Sequence, residues 1–311
     1  MKKIAIIFPG QASQYVGMGK DLYEAYPEVQ ELYQLASDET GEDMARLSFD
    51  GPAERLKETR FTQPAILLHS LAILRIMRDN LPATTLTAGH SLGEYGSMAL
   101  SEALSFEDSL RAVIKRASLM EEACRTNPGT MAAIIGLDEQ KIEKICKTSS
   151  EKGVVVPANF NSDSQIVISG SLAGVEEACR LCKEAGAKRA MILAVGGAFH
   201  SPLMESAVSG MEEYLKNVAF EEPNIDIVPN VTARAENNPE TLKNLLLEQL
   251  TAPVRWQQTM QFFNSQGIEE IIEIGPGKVL AGLAKRELKD AKIVNIDKLE
   301  DIENYIAVEA K

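Results

Sequence analysis

The chain has 311 residues, 45% of them apolar and 25% charged, enough to bury a full core and to build one large domain with room for an insertion. Its net charge of -13 and pI near 4.9 exclude a general affinity for nucleic acid unless a local basic patch overrides the overall field. No window reaches the roughly 20 uninterrupted apolar residues of a membrane-spanning helix, and Pro9-Gly10 interrupts the opening run too early for a secretory leader, so a cytoplasmic protein with no membrane partner is expected.

The first strand is expected over residues 4–8 (IAIIF), with Pro9-Gly10 breaking it. Several amphipathic helices follow, clearest over 63–79 (QPAILLHSLAILRIMRD). A short strand at 84–88 leads into a glycine-flanked serine and a helix through 97–100, and a long helix covers 106–125. This alternation implies an α/β core around a largely parallel sheet. From Gly129 the rhythm changes: a strand at 131–137, a helix at 138–149, and strands at 154–159 and 165–169 joined by Asn161-Ser162-Asp163. A helix at 171–185 and a strand at 189–195 complete a β-α-β-β-α-β order, the ferredoxin-like signature. The alternation then resumes, with a helix from Ser201-Pro202, a strand at 225–228, helices from Pro239 and Val254, and a strand at 271–274. A helix follows Gly275-Pro276-Gly277, with Pro276 expected to set its first turn, and the acidic end reads as a strand and a solvated helix. The expected fold is therefore a larger α/β-hydrolase-like domain with a parallel sheet, residues 1–127 and 196–311, interrupted by a smaller inserted ferredoxin-like domain, 128–195.

Cys124, Cys146, Cys179 and Cys182 are too few to staple a chain of this length. The Cys179/Cys182 pair lies inside a helical pattern, away from a helix start that would lower a thiol pKa, so packed reduced thiols are expected. With three histidines and no second cysteine pair, no metal site is expected. Gly275-Pro276-Gly277-Lys278 lacks the spacing of a phosphate loop and reads as a tightly packed turn.

The stretch Gly89-His90-Ser91-Leu92-Gly93 sits between an expected strand and an expected helix. A nucleophile elbow needs that arrangement, because its serine takes a strained backbone and the positions two residues away must lack bulk. The competing reading is an ordinary strand-to-helix joint. A serine hydroxyl needs a base. His90 is adjacent in the chain and should point away, and His69 lies in an apolar helix where a satisfied histidine is the ordinary outcome. His200, after Val195-Gly196-Gly197-Ala198-Phe199, occupies the kind of strand-end loop that carries catalytic groups, although it could also serve helix entry. No orienting carboxylate can be singled out from sequence. Arg116 falls at the edge of the stripe Leu110, Val113, Ala117, Met120, where helix periodicity favours a snorkelling arginine with its stem over the core.

Five segments together resemble the malonyl-CoA:acyl carrier protein transacylase family: FPGQASQYVGMG (8–19), GHSLGEY (89–95), RASLMEEA (116–123), GAFHS (197–201) and IGPGKVLAGL (274–283). They occur in the family's order and span nearly the whole chain. The resemblance implies that Ser91 is acylated by malonyl-CoA and that His200 is general base and acid, oriented by the backbone carbonyl of Gln249. It also implies an oxyanion hole from the N–H groups of Gln11 and Leu92, and a role for Arg116 on the free malonyl carboxylate. Phe199, just before the histidine, is expected to favour malonyl over methylmalonyl by crowding an α-methyl. Ala12 departs from the family's usual glycine and would be strained if that position needs a positive φ.

The expected activity is malonyl transfer from malonyl-CoA to the phosphopantetheine thiol of acyl carrier protein, supplying extender units for fatty acid or polyketide synthesis. Coenzyme A enters as part of the substrate, and no bound cofactor is expected. Two rivals share the elbow: a serine hydrolase that releases acyl groups, against which Arg116 and the insertion weigh, and a non-catalytic carrier-docking module. Lys183, Lys188 and Arg189 are candidates for a basic docking patch, or simply a solvated surface.

Overall fold

The computed structural model describes residues 2–309. Five strands, β1 (Ile4–Phe8), β2 (Leu86–Gly89), β7 (Asp226–Ile227), β8 (Glu270–Ile274) and β9 (Lys292–Ile296), form a sheet in the order β7-β2-β1-β8-β9, parallel throughout. β1 is buried along its whole length. This is why IAIIF is an unbroken apolar run, since a parallel strand is covered on both faces. Strand alternation splits it between two cores: Ile4, Ile6 and Phe8 join Ile66 and Leu71 of the helix Thr59–Met77, whereas Ala5 and Ile7 meet Trp256, Met260 and Phe263 of the helix Trp256–Ser265.

Between β2 and β7 in the chain, β3 (Thr130–Ile135), β4 (Val155–Ser162), β5 (Gln165–Gly170) and β6 (Arg189–Ile192) form an antiparallel sheet in the order β4-β5-β3-β6. Together with the helices Glu139–Ser149 and Leu172–Glu184 this is the ferredoxin-like arrangement, on an α/β chain of the expected class. The helices cover one face through Ile142, Cys146, Val175 and Cys182, packed on Ala132 and Ile134. Alternation sends Met131 and Val167 to the other face, where they merge with the large core. A pair of backbone bonds ties the two sheets together: Phe160 N–H donates to Val254 O at 2.9 Å and Val254 N–H to Ala158 O at 2.8 Å.

The structure moves several expected boundaries. The helix expected at 63–79 starts at Thr59 and carries Pro64 inside it. Burial of Phe61, Ala65 and Ile66 on either side outweighs the one backbone bond that a proline forfeits. β6 stops at Ile192, short of the expected 195. Asn161 and Ser162 belong to β4 rather than to the turn, because the ladder continues through two bulges to Ser162 opposite Gln165. Pro276 lies ahead of the helix Val279–Glu287 instead of in its first turn. There Gly275 has φ +141, and a Cβ on it would lie 2.5 Å from Ser70 Oγ and 2.6 Å from Pro9 Cγ, so the turn is indeed tightly packed.

Candidate active site

β2 ends at Gly89, Ser91–Gly93 makes a single 3-10 turn, and the helix Glu94–Leu100 follows. Ser91 sits at φ +53. The glycines two residues either side have a steric explanation: a Cβ on Gly89 would lie 1.9 Å from Gly93 O, and one on Gly93 would lie 2.3 Å from Phe8 O. Backbone meets backbone where turn, strand and the end of β1 converge, and no side chain fits between them. Five non-glycine residues among those described have positive φ, and three of them, Ala12, Ser91 and His200, line one cavity of about 220 Å³. Backbone strain is concentrated at this site.

His200 reaches this cavity from the loop after β6 and places Nε2 2.8 Å from Ser91 Oγ. Its Nδ1 is 2.8 Å from the backbone oxygen of Gln249. A carbonyl can only accept, so Nδ1 carries the hydrogen and Nε2 is left as the basic nitrogen facing the serine. Burial, assisted by the nearby Arg116 charge, pulls the His200 pKa down to about 3 and holds the imidazole neutral. Gln249 lies at the end of the helix Pro239–Glu248, so the group facing Nδ1 is a carbonyl left over at a helix end.

Arg116 is fully buried in the helix Phe106–Thr126, which settles the sequence ambiguity against a snorkelling side chain. Nη1 donates to Gln63 Oε1 at 2.6 Å, and Nη2 donates to Gln249 Oε1 at 3.0 Å and to Ser91 Oγ at 3.1 Å. Among the described residues no carboxylate forms an ion pair with it, and its Nε has no hydrogen-bond partner. Desolvation of this buried cation, only partly offset by the nearby Tyr95 and Glu94, lowers its pKa. An anion entering beside Ser91 would offset that cost.

Gln11, Leu92 and the buried Phe199 line the same cavity as Ser91 and His200. Ala12 has φ +79, the strained conformation anticipated for it, with its N–H bonded to Gln14 Oε1 at 2.9 Å. His90 is not bonded to Ser91 but lines the same cavity, with Nε2 3.0 Å from Asn161 Oδ1. His69 is a buried core histidine, as expected, though only half satisfied: its Nε2 lies 2.7 Å from Asp297 O and 3.0 Å from Asp297 Oδ1, while Nδ1 has no hydrogen-bond partner. All four cysteines are free; burial pushes the Cys124 and Cys182 thiols up to about 11 and that of Cys146 to about 12, which keeps them protonated.

Residues 5–305 match the acyl transferase domain family. The malonyl CoA-acyl carrier protein transacylase of Haemophilus influenzae is 43% identical over 311 residues, covering 99% of each chain. That of Staphylococcus aureus is 40% identical over 306 residues, 98% of this chain and 99% of that protein. The chain belongs to the malonyl-CoA:acyl carrier protein transacylase family. Among solved structures similar to this transacylase, the acyl carrier protein S-malonyltransferase of Vibrio cholerae has a TM-score of 0.92 at 41% identity, covering 97% of this chain and 99% of that one. A malonyl-transacylase in complex with its holo type II PKS acyl-carrier protein has a TM-score of 0.94 at 39% identity, covering 99% and 100%.

Three polar residues of the transacylase site escaped the sequence reading: Gln63, Asn230 and Glu94. Asn230 Oδ1 accepts the Ser91 N–H at 2.7 Å, and its Nδ2 donates to Gly89 O at 2.6 Å, so one side chain spans the elbow. Glu94 Oε2 accepts from Asn230 N at 2.8 Å and from Gln249 Nε2 at 2.9 Å. A signal existed only for Asn230, a polar residue just beyond the carboxyl end of the parallel strand β7. Gln63 lies in apolar helical surroundings, and Glu94, although inside the resembling segment GHSLGEY, has no feature of its own there that separates a structural acid from a functional one.

Proposed function

We propose that this enzyme loads malonyl from malonyl-CoA onto Ser91 and passes it to the phosphopantetheine thiol of acyl carrier protein. The observation that carries the reading is a single oxygen, Ser91 Oγ, lying 2.8 Å from a basic imidazole nitrogen and 3.1 Å from a buried guanidinium with no anionic partner. His200 Nε2 takes the Ser91 proton as Oγ attacks the thioester carbonyl. The negative charge moves to the former carbonyl oxygen, towards the backbone N–H groups of Gln11 and Leu92. The carbon–sulfur bond then breaks, and the imidazolium returns the proton to the departing coenzyme A thiolate. In the second half the carrier thiol gives its proton to His200, attacks the serine ester, and Ser91 recovers the proton as it leaves.

Arg116 takes the free carboxylate of the malonyl group as a bidentate pair, replacing its contact with Ser91 Oγ. Phe199 narrows the cavity beside the reacting carbon, which disfavours an α-methyl by about 1 to 3 kcal/mol. The exposed Arg189 begins the edge strand β6, with the exposed Lys188 just ahead of it, and the chain continues into Leu193 and Val195 of the cavity wall. That continuity, with the chain's overall negative charge, supports this strand as the side from which an acidic carrier approaches. The malonyl group so loaded is the extender unit of fatty acid or polyketide synthesis.

The test is intact mass after brief exposure to malonyl-CoA. A malonyl adduct on the wild type that is absent from Ser91→Ala is expected, and chase with holo acyl carrier protein should remove it. No adduct, or an undiminished one in Ser91→Ala, overturns the proposal; release of free malonate faster than transfer would make the protein a hydrolase.

A further inference from the structure

Glu94 lies three residues past the nucleophile and is fully buried, and its Oε1 meets no hydrogen-bond partner. A carboxylate in that position is costly, and burial pushes its pKa up to about 7. A leucine would fill the space at less cost, so the acceptor oxygen itself is what the site retains. That oxygen, Oε2, takes the Nε2 hydrogen of Gln249 at 2.9 Å. The same Nε2 also faces Ser91 O at 3.1 Å. Asn230 Oδ1 is a third, more distant acceptor at 3.4 Å, and with its donor end so claimed the Gln249 amide turns its oxygen the other way, where it accepts from Arg116 Nη2 at 3.0 Å. Were the amide to flip, its NH₂ would oppose the guanidinium donor to donor. Protonation of Glu94 at Oε1 leaves Oε2 an acceptor, so both charge states hold the amide the same way.

We infer that Glu94 is a positioning residue that locks the side-chain amide of Gln249, and through it aims the Arg116 guanidinium, so that Glu94 sets the preference for acyl groups bearing a free carboxylate. The inference rests on the malonyl-transfer reading above. Glu94 has a second arm, through the backbone of Asn230 to Ser91 N–H, and loosening that arm slows every acyl donor alike. The ratio of malonyl to acetyl acylation therefore isolates the arm that runs through Gln249.

The experiment is single-turnover acylation of Ser91 by malonyl-CoA and by acetyl-CoA in wild type, Glu94→Met, Glu94→Gln, Gln249→Leu and the Glu94→Met/Gln249→Leu double variant. Glu94→Met keeps the volume and removes the acceptor; its kcat/KM for malonyl-CoA is expected to fall about 10- to 100-fold, with the malonyl-to-acetyl ratio falling at least about fivefold. Glu94→Gln keeps an acceptor oxygen and should hold the ratio within about threefold of wild type. The double variant should show no further loss of ratio beyond Gln249→Leu, since both changes cut one relay. An unchanged ratio in Glu94→Met, additive ratio losses in the double variant, or equal losses in Glu94→Gln and Glu94→Met each overturn the inference. If Glu94→Met does not fold, an unchanged ratio in Gln249→Leu does so equally. Failure of the wild type to acquire a malonyl group would instead sink the transfer reading itself.

Discussion

Replacing Arg116 with methionine separates what the guanidinium does for the substrate from what it does for the fold. A bidentate charge-assisted pair with a carboxylate contributes about 1.5–3 kcal/mol per hydrogen bond, or about 3–6 kcal/mol for two. Its loss should lower kcat/KM for malonyl-CoA by about 10² to 10⁴-fold. Acetyl-CoA has no carboxylate to pair and should lose far less. On the stability side, methionine orphans Gln63 Oε1 and Gln249 Oε1, at about 1–3 kcal/mol each, but also removes a buried cation that has no ion-pair partner and costs several kcal/mol. These effects oppose each other, so Tm should move by only a few degrees. Quenched single-turnover acylation with the two donors, alongside thermal melts, measures both quantities. Parallel loss of malonyl and acetyl acylation would refute the reasoning, because Arg116 would then be holding the serine and histidine in place rather than binding the carboxylate.

Two further outcomes follow from groups lining the same cavity. His200 is held neutral far below the ordinary histidine pKa of about 6.5, so a base remains available as the solution is acidified. The single-turnover acylation rate at pH 5.5 should stay within about threefold of its value at pH 7.5; an ordinary histidine would lose about tenfold, and a loss of that size would show that burial does not control this imidazole. Ala12→Gly relieves a residue at φ +79, where an L-residue pays about 1–2 kcal/mol, against about 0.5–1 kcal/mol of added chain entropy for glycine. Urea unfolding should show a net gain of about 0.5–1 kcal/mol, and a loss of stability would contradict the strain assigned to that loop.

The parts of this protein legible in its sequence are those that short-range sterics and periodicity impose. Gly89 and Gly93 announce the elbow because backbone packing there leaves no room for a Cβ, a constraint acting within five residues of chain and on the adjoining strand. The ferredoxin-like order is legible because hydrophobic periods of 2 and 3.6 alternate cleanly over residues 131–192. Boundaries such as the start of the helix at Thr59 were not, since tertiary burial around Pro64 overrode a local breaking signal.

Periodicity and local sterics could not decide partnerships across the chain; a family resemblance suggested some of them, and the folded molecule supplied their geometry. Helix periodicity alone put Arg116 over the core as a snorkelling side chain, and only the family resemblance pointed it to the site; the fold supplies the meeting of Gln63, Ser91 and Gln249 around one guanidinium, contacts separated by 53, 25 and 133 residues. Glu94 was invisible for the same reason, and Asn230 showed only as a polar residue at a strand end, with its partners undetermined. A buried polar side chain takes its role from the acceptors and donors that surround it, and in this parallel α/β fold those arrive from the ends of strands and helices far apart in sequence. Short-range sterics in the sequence thus determined where the turn at Ser91 would form and resemblance named His200 and Arg116 beside it, while the tertiary structure alone decided the distances at which those groups meet its oxygen and the buried amides that hold them.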